Sequence, residues 1–196
     1  MKGRPPAGAA LPRADVTHAI RAAVLQELAA GGYARVSMEA VARRAGVGKA
    51  AIYRRWPSKL AMVGDVIGDV LTEQHAPTTA DNLQADLRCL MESFASLLAT
   101  PDLPAIMADL ASEALRNPEL SERITASVGQ PFSRRTLELV DRAIARGELS
   151  ADLDREAALD LTVSCLYWRV VVRRRALEPA DLERFAMVVS AGLRAL

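Results

Sequence analysis

The sequence predicts an all-α fold: a three-helix head that contains a helix–turn–helix, followed by a helical-bundle body, with about nine helices in all. Alanine is the most frequent of the 196 residues and aromatic residues make up only 4% of them, a balance that favours helices over strands. Apolar residues recur every three or four positions nearly throughout, and no stretch alternates apolar and polar side chains. Hydrophobic residues reach 51%, which is enough to bury a core.

The chain begins with an arm, residues 1–13, that is rich in proline and glycine and is expected to be flexible. A helix is predicted from about Asp15 until Gly31-Gly32 stops it. Its apolar face consists of Ile20, Val24 and Leu28. We expect the folded head to span residues 14–60.

Two short helices follow within the head and are joined by a tight turn. The first, over residues 38–45, is capped by Ser37 and ended by Gly46, where glycine adopts a left-handed backbone at least cost. The second, over residues 48–56, is closed by Pro57. This spacing is typical of a helix–turn–helix, whose second helix enters the major groove of DNA.

The body, residues 61–196, is predicted to be helical throughout. Most helix starts carry a capping side chain or a proline in the first turn, namely Ser58, Thr100-Pro101, Asn117-Pro118, Asp154 and Pro179. After the helix that Ser58 opens, the expected spans are about 81–99, 102–117, 118–146, 154–175 and 179–196. Pro131 is expected to kink the longest of these helices, which Gly147 ends.

Charge is divided unevenly between the two parts. Residues 1–60 hold eleven Lys or Arg and three acidic residues, a net charge of +8, whereas residues 61–196 carry −7. A basic head suits DNA, because each Lys or Arg that meets a phosphate releases condensed counterions. The acidic body would be repelled by DNA.

The second short helix carries the side chains that favour DNA recognition. Its outer face is predicted to display Lys49, Tyr53, Arg54 and Arg55, and its inner face Ile52 and Trp56. Either arginine can hold a guanine edge in a fork, and Tyr53 can contact a phosphate. Lys59, at the start of the next helix, combines an ammonium group with free backbone amides into an anion site. An Arg-Arg pair is otherwise a common solvated surface, so the motif and the charge decide between the two interpretations.

The segment from Ser37 to Leu60, SMEAVARRAGVGKAAIYRRWPSKL, resembles the DNA-binding region of the TetR family of bacterial transcriptional regulators. The similarity covers about residues 14–65. It implies that Lys49, Ala50, Tyr53, Arg54 and Arg55 occupy recognition-helix positions and that Lys59 contacts a phosphate. Gly48 and Ala51 depart from the family pattern, in which a hydroxyl residue is common.

Two further head residues complete the candidate DNA-binding set. Ser37 caps the first short helix, and Arg4, in the Lys-Gly-Arg-Pro arm, either enters the minor groove or stays disordered. The set is therefore Arg4, Ser37, Lys49, Ala50, Tyr53, Arg54, Arg55 and Lys59.

The last two predicted helices, about 154–175 and 179–196, are apolar on every side. A helix that is apolar all round needs a second packing neighbour, and for terminal elements that neighbour is expected to be a second copy of the chain. The alternative is burial wholly within one chain. A two-fold dimer would present two recognition helices about 34–36 Å apart to a pseudo-palindromic operator.

A pocket for a small molecule is expected between the body helices. Its candidate lining residues are Met91, Phe94, Met107, Leu110, Leu137 and Trp168. Methionine and small side chains leave adaptable apolar room, although each of these residues is equally suited to a plain core.

These features predict a homodimeric transcriptional regulator, expected to be a repressor, that a small effector releases from its operator. The alternative is a helical DNA-binding protein without an effector, acting architecturally or through a protein partner. An enzyme is not expected, because neither His18 nor His75 has a catalytic partner nearby in the pattern. Cys89 and Cys165 lie in apolar helical runs, so no metal or cofactor is predicted. Without a signal peptide or a bilayer-length apolar run, the expected location is the cytoplasm.

Overall fold

The computed structural model describes residues 13–73 and 80–196, and this part of the chain forms nine helices and no strand. The first six are α1 (Arg13–Arg35), α2 (Met38–Arg44), α3 (Lys49–Tyr53), α4 (Lys59–Glu73), α5 (Leu83–Leu98) and α6 (Leu103–Ala114). Helix α7 comprises Pro118–Ile124, a π-helical segment at Thr125–Gly129, and Gln130–Ala145. Helix α8 comprises Arg155–Tyr167 and a π-helical segment at Trp168–Val172, and α9 spans Pro179–Leu193. The all-α fold is confirmed.

The chain divides into two compact units, Met1–Val63 and Gly64–Leu196, and the boundary falls within α4. The sequence prediction set it at residue 60. Residues 1–12, which include the predicted arm and Arg4, lie outside the described part, as does His75.

The core of the first unit is built by α1, α2 and α3. Its buried apolar side chains include Ile20, Val24, Leu28, Val41, Ile52 and Trp56. The predicted inward positions of Ile52 and Trp56 are thus confirmed. At the surface, Arg44 Nε lies 2.6 Å from Glu27 Oε1 and joins α2 to α1. Helix α3 is therefore held on a packed support.

The turn of the helix–turn–helix follows from two local interactions. Ser37 Oγ accepts a hydrogen bond from the Ala40 amide (3.1 Å) and caps α2, as predicted. At the other end of α2, Val47 N–H donates to Ala42 O (3.0 Å) across Gly46, whose φ is 67°. This is a Schellman arrangement, in which glycine tolerates the left-handed backbone that other residues resist.

The core of the second unit is formed mainly by α5, α7, α8 and α9. It contains Leu83, Leu87, Met91, Leu139, Val140, Ala143, Leu166, Ala186, Val189 and Leu193. The apolar spacing seen in the sequence thus becomes the inner face of a four-helix packing.

Proline 131 changes the backbone of α7 in a specific way. Because proline has no N–H, it cannot complete an α-helical ladder, and the helix widens to the π-helical segment Thr125–Gly129 just before it. Ser127 O in this segment lies against Gly68 of α4, where an added Cβ would come within 3.0 Å of it. Glycine at position 68 therefore permits the close approach of the two helices.

Most of the predicted caps are confirmed, and one is wrong. Asn117 Oδ1 accepts from the Leu120 amide and Asp154 Oδ1 from the Ala157 amide, both at 3.1 Å. The Thr100-Pro101 prediction is wrong, because α6 begins at Leu103 after Asp102, which has a φ of 63°. The Leu103 amide donates to Thr100 O, so Thr100 and Pro101 belong to a turn.

A buried charge network joins α5 to the end of α7. Asp86, only 1% exposed, accepts hydrogen bonds from the Ala80 amide (3.0 Å), Arg142 (3.2 Å) and Arg146 (2.9 Å). Burial raises the pKa of Asp86, but these hydrogen bonds outweigh burial and hold that pKa below its ordinary value. Glu148 Oε1 lies 2.5 Å from Arg146 Nε, and Glu148 Oε2 accepts a hydrogen bond from the Leu83 amide (2.9 Å). The hydrogen bond from Leu83 is the largest of the effects that lower the pKa of Glu148.

No single helix in the described ranges has both the length and the apolar character to cross a membrane. By length and composition alone, α5 and α6 would pass together, but they are bent by 91° at their junction.

Candidate nucleic-acid interface and ligand cavity

Helix α3 presents one face to the core and another to solvent. Ile52 is fully buried, whereas Lys49, Ala50, Tyr53 and Arg54 are exposed. This alternation fits a recognition helix, because the buried side chain fixes the helix and the exposed ones remain available for a groove.

Lys49 meets an acidic partner on α2. Its Nζ lies 3.3 Å from Glu39 Oε1, and both side chains are exposed. The pKa of Glu39 lies below its ordinary value. The main cause is a hydrogen bond to its carboxylate from the Glu39 backbone amide, and the second is the hydrogen bond from Lys49. Glu39 takes one of the three donors of the Lys49 ammonium and offsets part of its charge, so two donors remain for a phosphate or a base.

The two arginines that directly follow α3, Arg54 and Arg55, have different surroundings, which the sequence did not distinguish. Arg55 is half-buried, and its guanidinium donates to Ala51 O (3.2 Å) and to Thr17 Oγ1 on α1 (3.4 Å). Arg54 is exposed, and its guanidinium forms no hydrogen bond or ion pair within the described residues. Arg54 is thus the arginine available to a base edge, and Arg55 links α3 to α1.

Lys59 lies at the end of α1. Its Nζ donates to Tyr33 O (3.0 Å) and Ala34 O (3.4 Å) and sits 4.3 Å from the centre of the Tyr33 ring. Both carbonyls follow Gly32, whose φ of 69° interrupts the helix as the sequence predicted, so Lys59 holds the turn between this kink and α2. Ser58 Oγ accepts from the Ala61 amide (3.1 Å), so the predicted cap of α4 is confirmed.

An inner cavity of about 210 Å³ lies in the second unit, bounded by α4, α5, α6, α7 and α8. Its walls are mainly apolar, and Phe94 and Phe132 form a tilted ring pair with centroids 5.6 Å apart. Arg135 and Tyr167 supply polar groups, and Arg135 also donates to Thr72 O (3.5 Å). The cavity can hold a small apolar body and hydrogen-bond one polar end of it.

The structure brings only part of the predicted pocket set to this cavity. Phe94 and Met107 line it. Met91 and Leu110 do not line it, and both are fully buried. Leu137 lines a separate surface groove on α7.

Trp168 also does not line the cavity, since 60% of it is exposed. Its neighbour Tyr167 lines the cavity instead, as does Phe132. One residue along a helix turns the side chain by about 100°, so an error of one position exchanges an inner face for an outer one. Phe132 and Arg135 lie one turn apart on α7 and therefore share a helix face, and this spacing could have identified them in the sequence as lining residues.

Helices α8 and α9 carry large apolar side chains that reach solvent. They are Trp168 and Val172 on α8 and Met187 and Val188 on α9, each about half exposed or more. Exposed apolar residues grouped on two helices mark a surface that a partner can cover.

Two family models match the chain. The model described as "Bacterial regulatory proteins, tetR family" matches residues 20–66, and "Tetracyclin repressor-like, C-terminal domain" matches residues 77–189. The first range contains the helix–turn–helix, and the second covers more than half of the chain.

Curated relatives agree with these models. The HTH-type transcriptional regulator YdeS of Bacillus subtilis is 28% identical over 163 residues, which cover 82% of this chain and 81% of the relative. The DNA-binding transcriptional repressor TetR of Mycobacteroides abscessus is 29% identical over 161 residues, covering 79% and 81%.

Solved structures show the same fold. The TetR family transcription regulator SCO0332 has a TM-score of 0.71 at 22% identity, covering 91% of this chain and 98% of that one. FadR from Bacillus subtilis, solved in complex with stearoyl-CoA, has a TM-score of 0.74 at 18% identity and covers 91% and 98%. With both family models matched along the chain, this protein belongs to the TetR family of bacterial helix–turn–helix transcriptional regulators.

Proposed function

We propose that this regulator is a homodimeric repressor that binds a pseudo-palindromic operator and leaves it when a small molecule occupies the inner cavity. The observation that carries the proposal is the exposed surface formed by Lys49 and Tyr53 of α3 and by Arg54, which caps its C-terminus, on a head of net charge +8. Such a face combines phosphate attraction with a side chain that can read a guanine edge.

Within this proposal the DNA contacts have different roles. Arg54 reads a base, Ala50 and Tyr53 lie against the groove, and Lys49 contacts the DNA backbone with the donors that Glu39 leaves. Lys59 has three donors, and a phosphate can take up the donor capacity that Tyr33 O and Ala34 O leave. Arg55 and Ser37 hold the helix–turn–helix in shape.

The exposed apolar residues of α8 and α9 support a dimer through these two helices. Trp168, Val172, Met187 and Val188 would become buried between two copies of the chain, in a two-fold bundle of four helices. A two-fold axis repeats the recognition helix, which is why a pseudo-palindromic operator is expected.

The inner cavity supports release by an effector. A ligand that prefers a conformation with misaligned heads weakens DNA binding by the difference in its affinity for the two conformations, and by no more. The aromatic walls and Arg135 favour a small apolar or amphipathic molecule. FadR, which shares the fold, was solved with an amphipathic ligand, stearoyl-CoA.

The second candidate is a DNA-binding regulator without an effector, and the small size of the inner cavity favours it. The two candidates differ in one measurement. A molecule that binds the native protein raises its melting temperature and lowers its affinity for the operator, whereas the second candidate responds to no molecule that fits the cavity.

The test begins with the full-length chain and a random pool of duplex DNA. We expect selection of a pseudo-palindrome by a particle of about twice the 21.1 kDa chain mass. Val188→Glu places a charge on the proposed interface and should yield a monomer that loses the operator. Leu115→Glu is the matched control, because Leu115 is 88% exposed outside α8 and α9, and it should remain a dimer. A wild-type monomer, or no selection at low salt, would contradict the proposal.

A further inference from the structure

A second cavity, the outer cavity, lies on the other side of a shared wall in the second unit. Its volume is about 530 Å³, and it is bounded by the end of α5, the start of α6, and the segment that joins α8 to α9. Leu98 and Val171 line both cavities and therefore separate them. The volume falls within the usual range for sites of small organic ligands, about 300–1,000 Å³.

The outer cavity has an apolar floor and a charged rim. Small or apolar side chains form the floor, including Ala95, Leu98, Ala105, Ala108, Val171 and Leu177. The rim carries Arg174, Arg175 and a single acid, Asp102, so positive charge is in excess.

The rim arginines have no partner in the part of the chain that the structure describes. Neither guanidinium forms a hydrogen bond or an ion pair there, and Asp102 is not paired with either of them. Among the other arginines of this unit, Arg142, Arg146 and Arg169 are paired with carboxylates, whereas the exposed Arg134 and Arg173 form no ion pair with the described residues. Two unpaired guanidiniums beside an apolar floor can bind an anion, because a guanidinium can donate two parallel hydrogen bonds to one carboxylate.

The backbone at this rim is held in an unusual conformation. Among the described residues other than glycine, only Asp102 and Arg174 have a positive φ, of 63° and 51° respectively, and both line the outer cavity. Such residues cost energy and concentrate at ligand sites, where strain positions side chains in advance. Here, they lie on two opposite segments of the same rim.

We infer that the outer cavity is a second ligand site, separate from the inner cavity, for a small amphipathic anion. The carboxylate of the ligand pairs with Arg174 and Arg175, and its alkyl chain lies on the alanine-rich floor. Charge complementarity selects an anion, and the apolar floor selects one with a hydrocarbon body over a bare inorganic ion. The shared wall of Leu98 and Val171 makes the inner cavity the necessary control.

The test is calorimetric titration of the full-length protein, without DNA, with decanoate below its micellar concentration. We expect one decanoate per chain in the outer cavity, and binding at least about ten-fold weaker for decanol and for inorganic phosphate. The variant Arg174→Gly, Arg175→Gln should weaken decanoate binding by about ten-fold or more. Glycine accepts the positive φ at position 174, so the melting temperature should not fall.

Two controls make the result specific. Arg173→Gln removes the adjacent charge, which is exposed but does not line the cavity, and it should leave decanoate affinity unchanged. Val163→Phe fills only the inner cavity and should also leave the affinity for decanoate unchanged.

Three results would overturn the inference. The first is that decanoate does not bind. The second is that Arg173→Gln weakens decanoate binding as much as the double arginine variant does. The third is that Val163→Phe abolishes decanoate binding and the double arginine variant leaves it unchanged. Because the titration contains no DNA, failure here leaves the proposed operator binding untouched, and failure of operator binding leaves this site untouched.

Discussion

The buried carboxylate of Asp86 is expected to contribute much more to stability than an exposed carboxylate on the same helix. Asp86→Asn removes the charge that faces Arg142 and Arg146, which leaves Arg142 without a carboxylate partner and Arg146 with Glu148 alone. Removing one member of a buried pair costs about 3–5 kcal/mol. The two arginine side chains remain 34% and 28% exposed, so water compensates part of this loss and we expect about 2–3 kcal/mol.

Glu92→Gln is the matched control. Glu92 also lies on α5 and pairs with an arginine, Arg88, at 3.3 Å, but both side chains are about half exposed. A surface pair four residues apart contributes at most about 0.5 kcal/mol. The two variants thus change the same chemical group on one helix and differ chiefly in burial.

Urea unfolding at one fixed protein concentration measures the difference, since the stability of a dimer depends on concentration. With a slope of about 2–3 kcal/mol per molar, Asp86→Asn should lower the midpoint by about 1 M and Glu92→Gln by much less. If the free energies of unfolding of the two variants differ by less than about 0.5 kcal/mol, the network around Asp86 does not stabilise the fold and the reasoning is refuted.

The remaining predictions concern pH and DNA. Because the pKa of Asp86 is lower in the folded chain than in the unfolded one, its contribution is complete above about pH 4 and is lost as the pH falls through the folded value; acid unfolding of Asp86→Asn should therefore be less steep than that of the wild type, and equal steepness would contradict this. Lys59→Ala should weaken binding to all DNA sequences and reduce the slope of log affinity against log salt by about one, whereas Lys59→Arg should keep the slope. If the slope is unchanged in Lys59→Ala, Lys59 does not contact a phosphate. Arg54→Ala should relax the preference at one operator position at a cost of about 1–3 kcal/mol. Arg55→Ala should instead lower affinity for every sequence and destabilise the head, because it loses the contact to Thr17; a position-specific loss in Arg55→Ala would reverse the two roles.

The ion pair between Lys49 and Glu39 has a consequence for specificity. An acidic side chain beside the recognition helix repels phosphates unless Lys49 compensates for it. In the proposed complex Glu39 offsets part of the charge of Lys49, so we expect Lys49 to contribute less to DNA affinity than the unpaired Arg54.

The shared wall between the two cavities has a consequence for effector screens. Leu98 and Val171 line both spaces, so a molecule in either cavity contacts the same two side chains. A thermal shift alone does not tell which cavity is filled, and the cavity-filling variant Val163→Phe separates the two.

The sequence by itself determined the helical fold, most helix limits and the helix–turn–helix. These depend on local chemistry: the Ser37, Asn117 and Asp154 side chains satisfy amides three or fewer residues away, and Gly46 accepts a backbone that other residues resist. Such interactions are decided within one turn of chain and can be read from residue types.

Tertiary structure alone decided which neighbouring residues share a site. Arg54 and Arg55 are identical in type and adjacent in sequence, yet the guanidinium of Arg55 donates to Thr17, 38 positions away, and that of Arg54 remains exposed. Trp168 and Tyr167 differ by one position, and only packing decides that Tyr167 lines the inner cavity. The physical reason is that burial and pairing depend on contacts between distant segments, whose directions no local pattern specifies.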